Sequence, residues 1–196
     1  MAETVKVTID GVTKEYRKGI TFLEISKEYQ KDYKDDIILA VQNHRLRELF
    51  KTVDSDCEIQ FMTTKSDAGH KTYVRGMTLV MLKAFYDVLD RENIDNIKVE
   101  YSLGSGLYCD FNGKVKLTED IILNVKKRME ELIQDDLPFL KNSVGTDDAI
   151  KLFESYGMYD KEKLFKYRRV SKANIYTLGK FQDYFYGYMP PSTGML

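Results

Sequence analysis

The stretch IKVEYSLGSGLYCDF, Ile97–Phe111, decides how the rest of the chain is read. Its Gly104-Ser105-Gly106 core admits two structures. A phosphate cradle needs a strand, a glycine loop, a helix opening directly after the glycines, and usually a lysine. Here a second apolar strand pattern, LYCDF, follows Gly106 instead, so the glycines join two antiparallel strands. A chain built around such a hairpin, with helices following it, is α+β and not a doubly wound nucleotide-binding sheet.

Upstream of the hairpin, Tyr73, Met77, Val80, Met81, Ala84, Phe85 and Val88 recur at steps of three and four, which predicts a long helix over about 72–92 with a wide apolar face. Before it, the polar TKSDAG, Thr64–Gly69, breaks periodicity and reads as a linker. The first 64 residues form a smaller mixed unit. VKVTID alternates, Asp10-Gly11 signals a tight hairpin, and VTKEYRKG returns. Thr21 and Glu24 have capping-box spacing for a short helix carrying Phe22, Ile25 and Tyr29 inward. IILAVQN, a short LRELF segment and CEIQFM complete an order of β-grasp type.

Downstream, Thr118 with Glu119 and Asp120 opens a helix that buries Ile122, Val125, Met129, Leu132 and Ile133 and ends before Pro138. Thr146 is expected to cap TDDAIKLFESYG, with Ala149, Leu152, Phe153 and Tyr156 inward and Gly157 closing it. NIYTLG and FQDYFYGYM alternate like strands turning at Leu178-Gly179. The expected organisation is a β-grasp domain at 1–64 and an α+β domain at 65–196.

The totals bound the function classes. The chain has 196 residues, 43% hydrophobic and 31% charged, as expected of a folded protein, and no apolar run approaches a membrane span. The N-terminus enters a strand with no signal-peptide core, which gives a cytoplasmic expectation and no membrane partner. Two cysteines, Cys57 and Cys109, are too few for a disulfide framework and are read as reduced, packed thiols. The net charge of −1 makes no global case for nucleic acid, yet KEKLFKYRRVSK, Lys161–Lys172, places Phe165 and Tyr167 among six cations. Lys163, Lys166, Arg168, Arg169 and Lys172 are therefore candidate RNA contacts; a solvated helix end is the plainer reading of the same composition.

Reactive constellations are scarce. His44 lies at a turn and His70 in the linker, neither with a partner at metal-ligand spacing. The pairs Gly113-Lys114 and Gly179-Lys180 have Tyr108 and Asn174 where a P-loop needs its first glycine. No G-x-S-x-G elbow occurs. The sequence thus assigns no catalytic, metal or cofactor residue. The C-terminal DYFYGYMPPSTGML, Asp183–Leu196, nonetheless has the look of a shaped loop beside a ligand.

The pieces YVRGMTLVML, LGSGLYCDF, KKRMEELIQDDLPF, DDAIKLFESYG and DYFYGYMPPSTG resemble, in order and spacing, the second N-terminal region of threonyl-tRNA synthetase, which removes misattached serine. The first 64 residues resemble a TGS domain. The resemblance implies an editing-like α+β domain after a TGS-like β-grasp domain. The family's pocket uses Arg-His-Ser-x-x-His on the long helix and Cys-x-x-x-His in the final loop. On this chain the two helix histidines fall on Gly76 and Val80, the cysteine on Phe185 and the loop histidine on Met189. None of these four accepts a proton, attacks a carbonyl or binds a hard metal. Arg75, Asp183, Tyr186 and Tyr188 remain as candidate lining of a ligand pocket, and the old cavity is either repurposed or filled. The same pattern is similar to bacterial uridine kinases in which a threonyl-tRNA-synthetase-like front precedes a P-loop kinase. That likeness implies a non-catalytic binding or regulatory region whose partner is a downstream kinase domain, with ATP and magnesium used there and no cofactor here. The alternative is an RNA-binding or residual aminoacyl-tRNA deacylase module, with Asp183, Tyr186 or Tyr188 in the pocket.

Overall fold

The computed structural model describes residues 3–104, 106–167 and 171–196, apart from the side chain of Asp160. By contacts the chain divides into two units: 1–78 with 135–139 and 187–196, and 79–134 with 140–186. The units do not follow the 64/65 boundary read from the sequence. One helix continues across Thr78, and two later segments are counted with the first unit.

The first unit begins with β1 (Thr4–Ile9), β2 (Val12–Arg17), β3 (Ile20–Thr21), α1 (Phe22–Tyr29), β4 (Ile37–Gln42), β5 (Arg45–Glu48), β6 (Thr52–Val53) and β7 (Cys57–Thr63). Five strands form a sheet in the order β2-β1-β7-β4-β5, with β1 and β7 parallel and the other neighbours antiparallel. This is the β-grasp order expected. The alternating residues Val5, Val7 and Ile9 of β1 enter one core with Phe22 and Ile25 of α1 and with Ile59 and Phe61 of β7. Each such fully buried side chain contributes about 1.5–3 kcal/mol. The capping box forms as its spacing predicts: Thr21 Oγ1 accepts from the Glu24 amide at 3.1 Å, and Glu24 Oε2 accepts from the Thr21 amide at 2.9 Å. These bonds and Arg17 hold the Glu24 carboxyl at about 2, below its ordinary 4.5.

Arg45–Glu48, which takes in the start of the LRELF segment, is a strand, β5. It folds back because Asn43 and His44 both adopt positive φ, 45° and 66°, the geometry of a two-residue hairpin turn. The long helix α2 (Asp67–Leu89) also starts earlier than its apolar period suggests. Ser66 explains this: its hydroxyl accepts from the Gly69 amide at 3.1 Å and its carbonyl from the His70 amide at 2.7 Å. TKSDAG therefore contains the helix cap and first turn, and His70 is a helix residue rather than a linker residue.

In the second unit, β8 (Ile94–Leu103) and β9 (Gly106–Gly113) form the antiparallel hairpin around Gly104. They are followed by α3 (Glu119–Gln134), β10 (Leu140–Gly145), α4 (Thr146–Ser155), α5 (Tyr159–Tyr167), β11 (Lys172–Leu178) and β12 (Phe181–Tyr184). The last three strands make an antiparallel sheet in the order β10-β11-β12. Phe153 of α4 stacks on Phe165 of α5 at 5.6 Å, and Phe165 meets Tyr184 of β12 edge-on at 4.8 Å. These aromatic contacts fix α5 and bury Phe165, so of the two rings among the cations only Tyr167 faces solvent.

Three local expectations change. Gly145, in extended geometry, stands at the N-cap of α4 with no side-chain cap bond, and Thr146 is already helical. Ile122 of α3 is exposed, and only Val125 and Leu132 of that helix are buried, so its covered face is narrower than its apolar stripe. Cys57 is buried as expected, but Cys109 is half-exposed. Among the described residues no helix is long and apolar enough to cross a membrane.

Candidate functional site

The residues that the resemblance singles out lie on α2 and on the segment after β12. Gly76 and Val80 are both buried, one turn apart on the helix. Gly76 and Met189 fall in the first unit, Val80 and Phe185 in the second.

Within the first unit, the segment 187–196 is held down at many points. Gly187 has φ 111°, and a Cβ there would lie 2.6 Å from Cζ of Arg75, so only glycine lets the chain cross that guanidinium. Arg75 Nη1 donates to the Tyr188 carbonyl at 3.1 Å. The Met189 amide donates to Oε1 of Glu48 at 3.2 Å, and both residues are buried. Farther on, the Phe139 amide donates to the Pro191 carbonyl at 3.1 Å, and the Leu137 amide to Thr193 Oγ1 at 2.8 Å. The segment is thus stitched to 135–139 as an irregular strand pair, including a bridge between Pro138 and Ser192.

That placement closes the helix position at Gly76. A Cβ on Gly76 would lie 2.7 Å from Cγ of Pro190 and 3.0 Å from Cδ2 of Leu196. The proline ring therefore occupies the space in which a side chain at 76 would have to begin. Met189, the position to which the resemblance assigns a loop histidine, is fully buried and presents a thioether. A thioether is a weak acceptor and cannot carry a proton at neutral pH.

In the second unit, Asp183 of β12 is buried and ion-paired with Lys161 of α5, and it also accepts from the Tyr184 amide at 2.6 Å. The cavity that Asp183 lines, with Tyr86, Asn96 and Met158 among its neighbours, holds about 10 Å³, less than a ligand requires. Tyr186 is exposed and Tyr188 half-buried. Of the candidate pocket residues, the structure brings Arg75 and Tyr188 together through a main-chain bond and gives Asp183 to Lys161.

Of the candidate RNA contacts, Lys163 and Lys166 lie exposed on α5 and Lys172 exposed at the start of β11. Lys166 pairs with Glu162, its neighbour one turn back. Arg168 and Arg169 lie outside the described residues. Among the described residues no group of three or more His, Cys, Asp or Glu side chains could hold a metal ion. His70, with Asp35, Asp36, Asp67 and Tyr73, lines an open groove of about 570 Å³ in the first unit.

Three residues that shape the site escaped the sequence reading. Glu48 lies in LRELF, where a lone carboxylate between Arg47 and the apolar Leu49-Phe50 is a signal for burial with a partner. Pro190 and Lys161 carried no local signal, since each acts on a residue distant in sequence.

No family model matches the chain. Its similarity is to threonine–tRNA ligases. That of Thermotoga petrophila is 30% identical over 194 residues, covering 98% of this chain and 29% of the relative. That of Thermotoga maritima is 29% identical over the same length and coverage. That of Halalkalibacterium halodurans is 26% identical over 198 residues, covering all of this chain and 30% of the relative. The chain spans under a third of the length of these relatives. Along its whole length, and at 24–30% identity, it is homologous to the N-terminal, TGS- and editing-like region of threonyl-tRNA synthetases.

Proposed function

We propose that this chain is a catalytically silent recognition module derived from a threonyl-tRNA synthetase front. It binds RNA of the kind that scaffold serves, and it does not hydrolyse an aminoacyl ester. The observation that carries this reading is the seat of Pro190 against Gly76, with Met189 buried beside it in the chain and its amide tied to Glu48. A deacylase needs a positioned proton acceptor and room for the ester, and an acid or base of that kind is worth about 10²–10⁴ in rate. Here the helix position is sterically closed and the loop position is a thioether. Asp183, the carboxylate a residual deacylase would use, is neutralised by Lys161.

RNA binding is supported by the homology and by the exposed lysines of α5 and β11, beside the exposed ring of Tyr167. Lysines of this sort contribute through counterion release, so the affinity should fall steeply with salt. In this reading the chain itself uses no metal or cofactor. A downstream ATP-dependent nucleoside kinase concerns residues outside this chain. The relatives above are all threonine–tRNA ligases and lend that expectation no support.

Two measurements test the proposal together. Fluorescence anisotropy with threonine-accepting tRNA should show binding that weakens with added salt and that Lys163→Glu with Lys172→Glu reduces. Seryl-tRNA incubated with the protein should lose its ester no faster than in buffer. Catalysed ester loss, or no tRNA binding even at low salt, would overturn it.

A further inference from the structure

The β8–β9 ribbon packs at its base, where Ile94 is buried and Phe111 stacks on Phe85 at 6.0 Å. Beyond Lys98 it turns apolar side chains to solvent. Val99, Tyr101, Leu103, Leu107 and Tyr108 are all exposed, from 38% for Val99 to 68% for Leu103. Tyr101 and Tyr108 stack across the strands at 5.0 Å and 15°. No third strand pairs with either member among the described residues, so each presents a row of free main-chain donors and acceptors. An apolar, unpaired edge of this kind is a template for another strand.

The charges indicate which strand. Asp95, Lys98, Glu100 and Asp110 lie on the ribbon, and Lys114 and Lys116 follow it, so acids and bases balance. A polyanion gains nothing from such a surface, whereas an identical copy meets no net repulsion. We propose that β8 pairs antiparallel with β8 of a second copy about Val99, joining two ribbons into one four-stranded sheet. In that register Lys98 of each copy lies opposite Glu100 of the other, Val99 faces Val99, and Ile97 faces Tyr101. Moving the centre to Lys98 or to Glu100 would set like charges directly opposite, which is unfavourable, so charge selects the register. The pairing is isologous and closes as a two-fold dimer. The ladder irregularity between Val99 and Tyr101 leaves Glu100 without a β9 partner. Such bulges discourage edge pairing, which sets the strength of association in roughly the micromolar range.

Sedimentation equilibrium of the 196-residue chain at low salt, from about 5 to 300 µM, should show a monomer–dimer equilibrium. Lys98→Glu and Glu100→Lys should each weaken it about tenfold or more, because each makes both cross-strand pairs repulsive. An equimolar mixture of the two variants should associate as strongly as the parent chain, since one copy then carries two carboxylates and the other two ammonium groups at the paired positions. Glu100→Lys leaves the hairpin ladder intact and decides the matter alone if Lys98→Glu melts the ribbon by circular dichroism. A chain that stays monomeric throughout, a dimer indifferent to Glu100→Lys, or a mixture of folded variants no stronger than its components would overturn the proposal.

Discussion

Replacing Gly76 by alanine adds one methyl group to a helix, and in an open helix it would stabilise the protein by about 1 kcal/mol. Here the new carbon would sit 2.7 Å from Cγ of Pro190, well inside the contact distance of two carbons, and 3.0 Å from Cδ2 of Leu196. The leucine methyl can rotate away. The proline ring cannot, because its neighbours on both sides are tied down, Met189 to Glu48 and Pro191 to Phe139. Forcing a methyl into a packed site of this sort costs about 1–3 kcal/mol. Taking 2–3 for a ring that must be displaced, and subtracting the helical gain, Gly76→Ala should destabilise the first unit by about 1–2 kcal/mol. The sign should reverse in a Pro190→Ala background, where the obstructing carbon is gone and the helical preference is left, giving a coupling of about 2–3 kcal/mol. Urea unfolding with linear extrapolation measures all four proteins. The chain has 14 tyrosines and no tryptophan, so far-ultraviolet circular dichroism and tyrosine emission are the probes. If Gly76→Ala stabilised the parent chain as it would an exposed helix, Pro190 would not close that position and the silent-site reading would lose its support. Gly76→His goes further in the same direction: it should release the segment and speed amide exchange at Met189, without creating an editing pocket.

Stranding the buried Asp183 carboxylate by Lys161→Met should cost about 3 kcal/mol, and more than Asp183→Asn, which leaves a part-exposed lysine, whereas Lys161→Met with Asp183→Leu should restore most of that stability in chemical denaturation. Glu24 has a folded-state pKa of about 2 against an ordinary 4.5, so its contribution is present above about pH 4.5 and lost as pH falls towards 2; Glu24→Gln should flatten the acid limb of the stability profile over that interval. Burial raises both thiols, and Cys57 is the more enclosed, so a chromogenic disulfide reagent at pH 8 should modify Cys109 slowly and Cys57 only on unfolding. Thr21→Ala removes the hydroxyl half of the capping box and should lower the first unit's stability by about 1 kcal/mol in the same urea assay.

The elements that the sequence displayed plainly are those whose apolar residues repeat with a period that survives without tertiary context. β1 and β7 alternate, and α2 and α3 repeat at three and four, so their existence was legible although their ends were not. Boundaries slipped where a single side chain decides them. Ser66 caps α2 from within a polar run, and the positive φ of Asn43 and His44 turns the chain back into β5, and neither is periodic. At the candidate site the residue types at Gly76, Val80, Phe185 and Met189, the positions the resemblance picks out, were legible. The closure was not, because it depends on Pro190 meeting Gly76 and on Glu48 reaching Met189.

By itself, then, the order of residues determined the α+β character, the β-grasp order of the first strands and the absence of proton-carrying groups at the four mapped positions. These follow from local periodicity and residue chemistry, which need only neighbours in the chain. The tertiary structure alone decided that Gly76 is covered, that Asp183 is neutralised, and that the β8–β9 ribbon turns its apolar residues outward. Those outcomes depend on which distant segments share a volume, and excluded volume and charge pairing between such segments leave no trace in a linear pattern.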